Sequence, residues 1–263
     1  MAKFETILYK KRKGVATITL NRPEVLNAIT RQMFLEIGQA LDDADYDNKV
    51  SVVVIKGSGK AFCAGVDLKF ATEELKTLQD EQDLFRLGNK MALEKMEALS
   101  KPVIAAVHGY CMAGGFEMML ATDIVIATED AVISDQHINV GLFGGGGCVY
   151  RLALLVGMRK AKEIILTGKR ISGKEAEQMG LVNRAVPAGE LDKAVEEMAA
   201  TLSEKSPVAM RLSKWYINKT MMVDADMRLE LAIMYSLIDS TSEDKEEGMR
   251  AFVEKRKPVF KGR

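Results

Sequence analysis

Apolar and polar residues follow two periods along this chain, one typical of strands and one typical of helices. Short apolar runs bounded by Gly or Pro occur at Ser51 to Gly57 and at Lys101 to His108. Such runs are expected for strands buried on both faces of a mainly parallel sheet. Earlier in the chain, Phe4 to Lys10 and Val15 to Leu20 predict a strand pair joined by the charged turn Lys11-Arg-Lys-Gly.

A helical period first appears from Ile29 to Tyr46, where Met33, Phe34, Ile37 and Leu41 share one face. Strand and helix patterns then alternate to about Val186, which indicates an α/β fold. This periodicity alone does not distinguish a doubly wound sheet from other repeating α/β architectures.

From about Leu191 the pattern becomes helical throughout, with Ser206-Pro207 as a predicted N-cap and first helical position. The helices predicted here have apolar faces too extensive for a detached tail; they are Val208 to Asn218, Met227 to Ile238 and Glu243 to Lys255. They must pack on the core or on another subunit. We therefore expect a core at residues 1–195 and a C-terminal helical region at residues 196–263.

Two loops of small residues follow predicted strands, at Ala61 to Leu68 and at His108 to Glu117. Each lies where a strand should end and a helix begin, so each can offer unpaired backbone N–H groups to an external oxygen. The N–H groups of Ala64 and Gly114 are the predicted donors of such an oxyanion hole. The alternative is that the glycines only permit close packing of helix on strand.

A carboxylate follows the second loop within an otherwise apolar segment, at Glu117. It must either reach a cavity or incur a large desolvation cost. A carboxylate in an apolar cleft has a raised pKa, which suits a general acid or base near neutral pH. The alternative is a first-turn glutamate that completes a helix cap.

With these loops, the chain resembles the crotonase superfamily, also called the enoyl-CoA hydratase/isomerase family, over nearly its whole length. The further shared segments are Gly14 to Pro23, Asn27-Ala28, Ala127 after Asp123-Ile-Val-Ile, Leu166-Thr-Gly, Ala176 to Val182 and Phe252 to Lys261. The resemblance implies a superhelix of ββα units with a C-terminal helical region for oligomerisation. It also implies a trimer, often paired into a hexamer.

The resemblance further implies an acyl-CoA substrate whose thioester carbonyl is bound between the N–H groups of Ala64 and Gly114. Substrate and CoA contacts are expected at Arg22, Val25, Ala61, Cys63, Asp67, Leu68, Gly141 and Lys261. For the cations among these, the alternative is an ordinary solvated surface charge. Because coenzyme A is part of the substrate, we expect no separate cofactor, and we expect no metal.

Hydratases of this family use two glutamates, and the chain departs from that pattern at the second. The first falls on Glu117, but the second position is His137. Two further departures follow, with Gly144 at the usual proline and Cys148 at a usual glycine. An imidazole could deliver a proton or orient water, so we predict Glu117 and His137 as catalytic residues. The alternative for His137 is a solvated turn residue.

The leading interpretation is an acyl-CoA hydratase/dehydratase acting on an α,β-unsaturated acyl-CoA, with branched, cyclic and dienoyl groups left open. The alternatives are enoyl-CoA isomerisation, thioester hydrolysis, or a weakly catalytic relative that binds acyl-CoA or RNA. The charges of the 37 basic and 37 acidic residues cancel, which counts against binding of nucleic acid. The cysteines lack metal-ligand or disulfide spacing, and no signal or membrane segment is evident, so we expect a cytoplasmic enzyme.

Overall fold

Two sheets form the core of the computed structural model, which describes residues 4–220 and 223–263. In chain order the strands are β1 (Ile7–Arg12), β2 (Val15–Leu20), β3 (Val52–Gly57), β4 (Ala61–Cys63), β5 (Val103–Val107), β6 (Tyr110–Met112), β7 (Ile124–Thr128), β8 (Val132–Ser134), β9 (Ile171–Ser172) and β10 (Arg184–Val186). One sheet has the order β1-β2-β3-β5-β7-β10, and the other has the order β4-β6-β8-β9. Apart from the outer pairs β1–β2 and β8–β9, neighbouring strands are parallel.

Helices connect and cover these sheets. They are α1 (Arg31–Tyr46), α2 (Leu68–Glu74), α3 (Leu78–Gly88), α4 (Glu94–Ala98), α5 (Gly114–Leu120), α6 (Cys148–Val156), α7 (Met158–Thr167), α8 (Gly173–Gln178), α9 (Leu191–Ser203), α10 (Pro207–Thr220), α11 (Ala225–Ser240) and α12 (Glu243–Val253). One π-helical turn, Asn89–Leu93, joins α3 to α4. Short 3-10 turns occur at Pro23–Val25, His137–Val140 and Ala188–Glu190.

The chain repeats one unit, in which a long strand in the first sheet is followed by a short strand in the second and then by helix. The strands β3 and β4 precede α2, and β5 and β6 precede α5. Successive units place parallel strands side by side in both sheets. The expected superhelix of ββα units is therefore confirmed.

Strand β3 shows why the apolar runs are continuous. Its residues Val53 and Ile55 face the main core, whereas Val52 and Val54 face a second layer formed with helix α9. Successive side chains of a strand point to opposite faces. Because both faces are covered, every position favours an apolar residue.

Helix α1 follows its predicted pattern. Thr30 caps it by accepting a hydrogen bond from Met33 N–H at 3.4 Å. All four side chains predicted for its core face are buried, namely Met33, Phe34, Ile37 and Leu41. The strand pair before it differs in its turn, because β1 continues to Arg12 and only Lys13 and Gly14 turn, both with positive φ.

The predicted C-terminal helices are present, and Ser206 caps α10 by accepting from Ala209 N–H at 3.2 Å. The expected boundary between residues 195 and 196 needs correction, because it falls inside α9 (Leu191–Ser203), which packs on the core sheet. Helix α11 has no buried residue among those described and exposes a row of apolar side chains, including Leu229, Ile233 and Leu237. Among the described helices, none combines the length and apolar character needed to span a membrane.

Candidate active site

The first glycine loop, which follows β4, does not offer the amide that the sequence predicted. Ala64 N–H donates a hydrogen bond to Leu26 O at 3.0 Å, so it is already paired. Two residues on, Val66 N–H donates no hydrogen bond to any residue in the described part of the chain. The predicted donor Ala64 is therefore corrected to Val66.

The second loop brings Gly114 N–H, the first amide of α5, beside Val66. A Cβ placed on Gly114 would lie 3.6 Å from both Gly65 Cα and Val66 N, so the two loops are in contact. Ala113, just before the helix, has φ 46° and ψ −118°, an uncommon conformation for a residue with a side chain. Its N–H donates to Ser134 O at 3.1 Å, which fixes the start of α5. Within residues 4–220 and 223–263, Gly114 N–H also has no acceptor, so it and Val66 N–H can serve one external oxygen.

Glu117 lies one turn into α5 and is 6% exposed. Its Oε1 accepts a hydrogen bond from Gly146 N–H at 2.7 Å, far along the chain, so it is not a helix cap. A side chain at Gly146 would collide with the carboxylate, which is why this close approach requires glycine. Burial raises the pKa of Glu117 above its ordinary value, against the opposing effects of His137 and the Gly146 amide.

His137 begins the 3-10 turn His137–Val140 and is packed inward, with a side chain 14% exposed. Its Nδ1 makes a short contact with Oδ1 of Asp135, which is 1% exposed. Burial lowers the pKa of His137, but the hydrogen bond to Asp135 and the charges of Glu117 and Asp135 outweigh it and raise the pKa above 6.5. The alternative of a solvated turn residue is therefore wrong.

The three departures from the family pattern touch one another. The Sγ of Cys148 lies 3.5 Å from Gly144 O and 3.7 Å from Asp135 Oδ2. A Cβ on Gly144 would collide with this sulfur and would lie 3.0 Å from His137 Nδ1. A thiol at 148 and an imidazole at 137 thus leave no room for a side chain at 144.

Arg151 is 4% exposed and is hydrogen-bonded to the glycine loop at residues 144–147. Its Nη1 donates to Gly146 O at 2.7 Å, while Nε and Nη2 donate to the two Glu97 oxygens at 2.6 and 3.0 Å. Gly146 therefore makes two hydrogen bonds: its carbonyl oxygen accepts from Arg151, and its N–H donates to Glu117. This chain of hydrogen bonds fixes the position of the catalytic carboxylate candidate.

Two residues predicted to contact substrate, Ala61 and Cys63, are fully buried in β4. Asn27, also fully buried, donates to Ala61 O at 2.8 Å and so ties the loop to the start of the chain. Burial raises the pKa of the Cys63 thiol to about 12. Their side chains therefore support the loop, and any contact they make with a ligand is through the backbone.

The predicted CoA contacts near β2 and α2 do come together. Arg22 forms an ion pair with Asp67, Nη2 to Oδ2 at 2.9 Å, and donates from Nη1 to Ala28 O at 2.6 Å. The Arg22 hydrogen bond lowers the pKa of the Asp67 carboxyl, although burial opposes this effect. Beside them, Val25 and Leu68 are exposed, 39% and 63%. Arg22 is thus anchored and is not the free surface cation of the alternative.

The other two residues predicted to contact substrate or CoA are Gly141 and Lys261. Gly141 has φ 71° and ends the His137–Val140 turn, at the exposed surface. Lys261 lies near the C-terminus, where its N–H donates to Asp244 Oδ1 at 2.7 Å and its Nζ lies 3.3 Å from Glu243 Oε2. Within this chain it is paired with Glu243 and not with the glycine loops.

The side chains of Glu117, His137 and Cys148 offer ligand atoms that all lie within 4.8 Å of one another, a spacing that could hold a metal ion. Metal binding by a cysteine requires the thiolate. Burial, followed by the charges of Glu117 and Asp135, raises the pKa of the Cys148 thiol. The cluster is thus better suited to proton transfer than to holding a metal.

The sequence reasoning missed Val66, Asp135, Gly146 and Arg151. Asp135 stands only two residues before His137, but no periodic pattern marked it, because β8 ends at Ser134 and His137 begins a 3-10 turn. The contribution of Gly146 depends on a contact 29 residues away in sequence, which no local pattern indicates.

Comparison with known proteins agrees with this geometry. A profile described as enoyl-CoA hydratase/isomerase matches residues 10–263. The chain is 36% identical over 259 residues to a crotonyl-CoA hydratase of Syntrophomonas wolfei, covering 98% of each chain. It is also 36% identical to a short-chain-enoyl-CoA hydratase of Clostridium acetobutylicum, covering 95% of each. The crystal structure of an enoyl-CoA hydratase from Bacillus anthracis superposes with a TM-score of 0.93 at 32% identity, covering 98% of this chain and 100% of that one.

Proposed function

This chain belongs to the enoyl-CoA hydratase/isomerase family, and on that premise we propose that it adds water across the double bond of an α,β-unsaturated acyl-CoA. The observation that carries the proposal is the buried Glu117 carboxylate, held by Gly146 and facing His137. The relatives' names support acyl-CoA as the substrate class, and they leave the acyl group of this protein's substrate open.

The proposed reaction begins with the thioester carbonyl between Val66 N–H and Gly114 N–H. Glu117 takes a proton from water as the water oxygen bonds to the β-carbon. The π electrons of the double bond move into the thioester and form an enolate, whose oxygen the two amides stabilise. His137, as imidazolium, then gives a proton to the α-carbon.

Proton balance is restored when Glu117, now protonated, returns its proton to His137 directly or through solvent. The net change is one water added, with no redox step and no group other than those of this chain. We therefore propose no separate cofactor, coenzyme A being part of the substrate.

The test is the loss of conjugated-thioester absorbance when the purified protein is given crotonyl-CoA. Glu117→Gln keeps the shape of the side chain and removes the base, so we expect it to lower kcat by about 10²–10⁴-fold. Glu36→Gln is a control matched for burial, because Glu36 is 2% exposed and instead accepts hydrogen bonds from the N–H groups of Glu5 and Thr6, just before β1. Full activity of Glu117→Gln would exclude this mechanism.

A second function is favoured by the same pair of groups. Glu117 and His137 could move a proton from the α-carbon to the γ-carbon without water, which is isomerisation of a β,γ-enoyl-CoA. Supplying a β,γ-enoyl-CoA and following the appearance of conjugated absorbance tests it. If that absorbance appeared faster than the protein hydrates crotonyl-CoA, isomerisation would be the better supported function.

The binding of CoA and the assembly of subunits complete the proposal. We assign the CoA side of the cleft to Val25, Leu68 and the Arg22–Asp67 pair. Lys261 would reach CoA only from a neighbouring subunit. The exposed apolar side chains of α11 support a homo-oligomer, a trimer or a dimer of trimers, which sedimentation analysis tests.

A further inference from the structure

We propose that Asp135 is a positioning residue for His137, so that the second carboxylate of a two-carboxylate site acts in this chain through an imidazole. The inference rests on the hydratase function proposed above, and it deepens that function by identifying how the altered second position works. None of the sequence patterns singled out Asp135 as part of the site.

The first support is the geometry of the Asp135 carboxylate. Its Oδ1 contacts His137 Nδ1, and the same oxygen accepts from His137 N–H at 3.4 Å. A buried carboxylate on one ring nitrogen keeps the proton there and fixes the orientation of the ring. The other ring nitrogen, Nε2, has no hydrogen-bond partner among the described residues and remains available to substrate or water.

The second support is that Asp135 is buried and that His137 is its basic partner. It is 1% exposed, and its Oδ2 has Cys148 Sγ at 3.7 Å as a weak donor. No lysine or arginine forms an ion pair with it among residues 4–220 and 223–263. A buried carboxylate with no lysine or arginine partner favours the cationic form of an imidazole beside it.

The charged and titratable groups around the ring are consistent with this charge state. Glu117 faces it from α5, Cys148 from α6 and Asp135 from its own segment. The nearest cation in this network, Arg151, is bound to Glu97 and Gly146 O. Two carboxylates and one thiol with a raised pKa therefore surround the imidazole, and the two carboxylates favour its protonated form.

The two ring nitrogens of His137 therefore have different roles in the proposed reaction. Nδ1–H stays bound to Asp135 throughout, and the Nε2 proton is the one transferred to the α-carbon. After that transfer His137 is neutral with its proton on Nδ1, and Nε2 accepts the next proton. Without Asp135 the neutral ring could adopt either tautomer, and only one of them is productive.

The test uses the fact that the chain has only two histidines, His108 and His137. Selective ¹⁵N-histidine labelling with His108→Gln as the assignment variant reports the protonation of each His137 nitrogen against pH. In the wild type we expect Nδ1 to stay protonated and the pKa to lie above 6.5. An unprotonated Nδ1 in the wild type would overturn the proposal without any change at position 135.

The variants are Asp135→Asn, Asp135→Glu and, as a control, Asp123→Asn. Asp123 is a mostly buried aspartate paired with Lys214 Nζ at 2.7 Å, outside the site. We expect Asp135→Asn to lower the pKa of His137, to shift the basic limb of kcat/KM to lower pH, and to reduce kcat by about 10²–10⁴-fold with a smaller change in KM. Asp135→Glu should retain the charge and recover part of the pKa, and Asp123→Asn should leave the His137 titration unchanged.

A purely structural role for Asp135 would lower the melting temperature without moving the titration or the basic limb, and that result would overturn the proposal. The NMR measurement does not depend on turnover. If the wild type hydrated no enoyl-CoA, the hydratase function would fail, while the titration would still decide whether Asp135 sets the state of His137.

Discussion

The contact between Gly146 and Glu117 gives the sharpest prediction about the site. Gly146→Ala would place a Cβ against the Glu117 carboxylate, within 2.9 Å of Oε1 and closer to the other carboxylate atoms. The φ of Gly146 is not in the left-handed region, so alanine fits the backbone there. The variant therefore tests the collision alone.

The expected size follows from the hydrogen bond that the collision breaks. A hydrogen bond to a charged group contributes about 1.5–3 kcal/mol, and one pKa unit corresponds to about 1.4 kcal/mol. Losing the Gly146 N–H bond at 2.7 Å should thus raise the pKa of Glu117 further. Misplacement of the base should lower kcat by about 10–100-fold.

The assay is the pH dependence of kcat/KM for crotonyl-CoA hydration, with thermal unfolding measured in parallel. Glu117 must be ionised to act as a base, so the acid limb of the kcat/KM profile should move to higher pH in Gly146→Ala. Gly189→Ala is the matched control, because a Cβ at position 189 meets no atom within 4 Å. An acid limb and a kcat equal to those of the wild type would refute the reasoning.

Three further predictions follow from the same geometry. Arg151→Lys loses the fork that joins Glu97 to Gly146 O, so kcat should fall about 10-fold while KM changes less, measured by steady-state kinetics. The wild-type pH profile should be bell-shaped: activity is lost as pH falls through the raised pKa of Glu117, and again as pH rises through the raised pKa of His137. A profile without a basic limb would exclude His137 as the acid. Val66→Pro removes the N–H assigned to the oxyanion and should lower kcat by about 10²–10³-fold. An unchanged kcat in the folded variant would mean that another group binds the oxyanion.

The sequence predicted most of the fold because local patterns and tertiary structure agree there. The apolar face of α1 and the N-cap of α10 at Ser206 match the predictions, since each depends on a pattern within one segment. The boundary at residue 195 was wrong because the helical pattern of α9 does not reveal which sheet face it covers. Sequence periodicity carries no information on such packing.

The chemistry of the site could be predicted from the sequence only where it depends on a single side chain. Glu117 could be found because a carboxylate in an apolar helix is itself unusual. The predicted donor Ala64 had to be replaced, because the pairing of Ala64 N–H with Leu26 O depends on a contact between separate loops. Backbone donors have no side chain that marks them in a sequence.

The charges around position 137 explain why His137 cannot simply be restored to the family's glutamate. Glu117 and Asp135 already place two carboxylates around position 137, and H137E would bring a third beside them. We therefore expect H137E to raise the pKa of Glu117 and to be less active than the wild type. The double variant H137E/D135N removes one of those carboxylates and leaves two, at positions 117 and 137.

The double variant should accordingly recover activity relative to H137E, although we expect Asp135→Asn alone to reduce it. This reversal of sign is the expected result of a double-mutant cycle on hydration of crotonyl-CoA, because the two residues act as one unit. Losses that simply add would mean that Asp135 and His137 contribute independently. In that case the contact between them would not account for the histidine at this position.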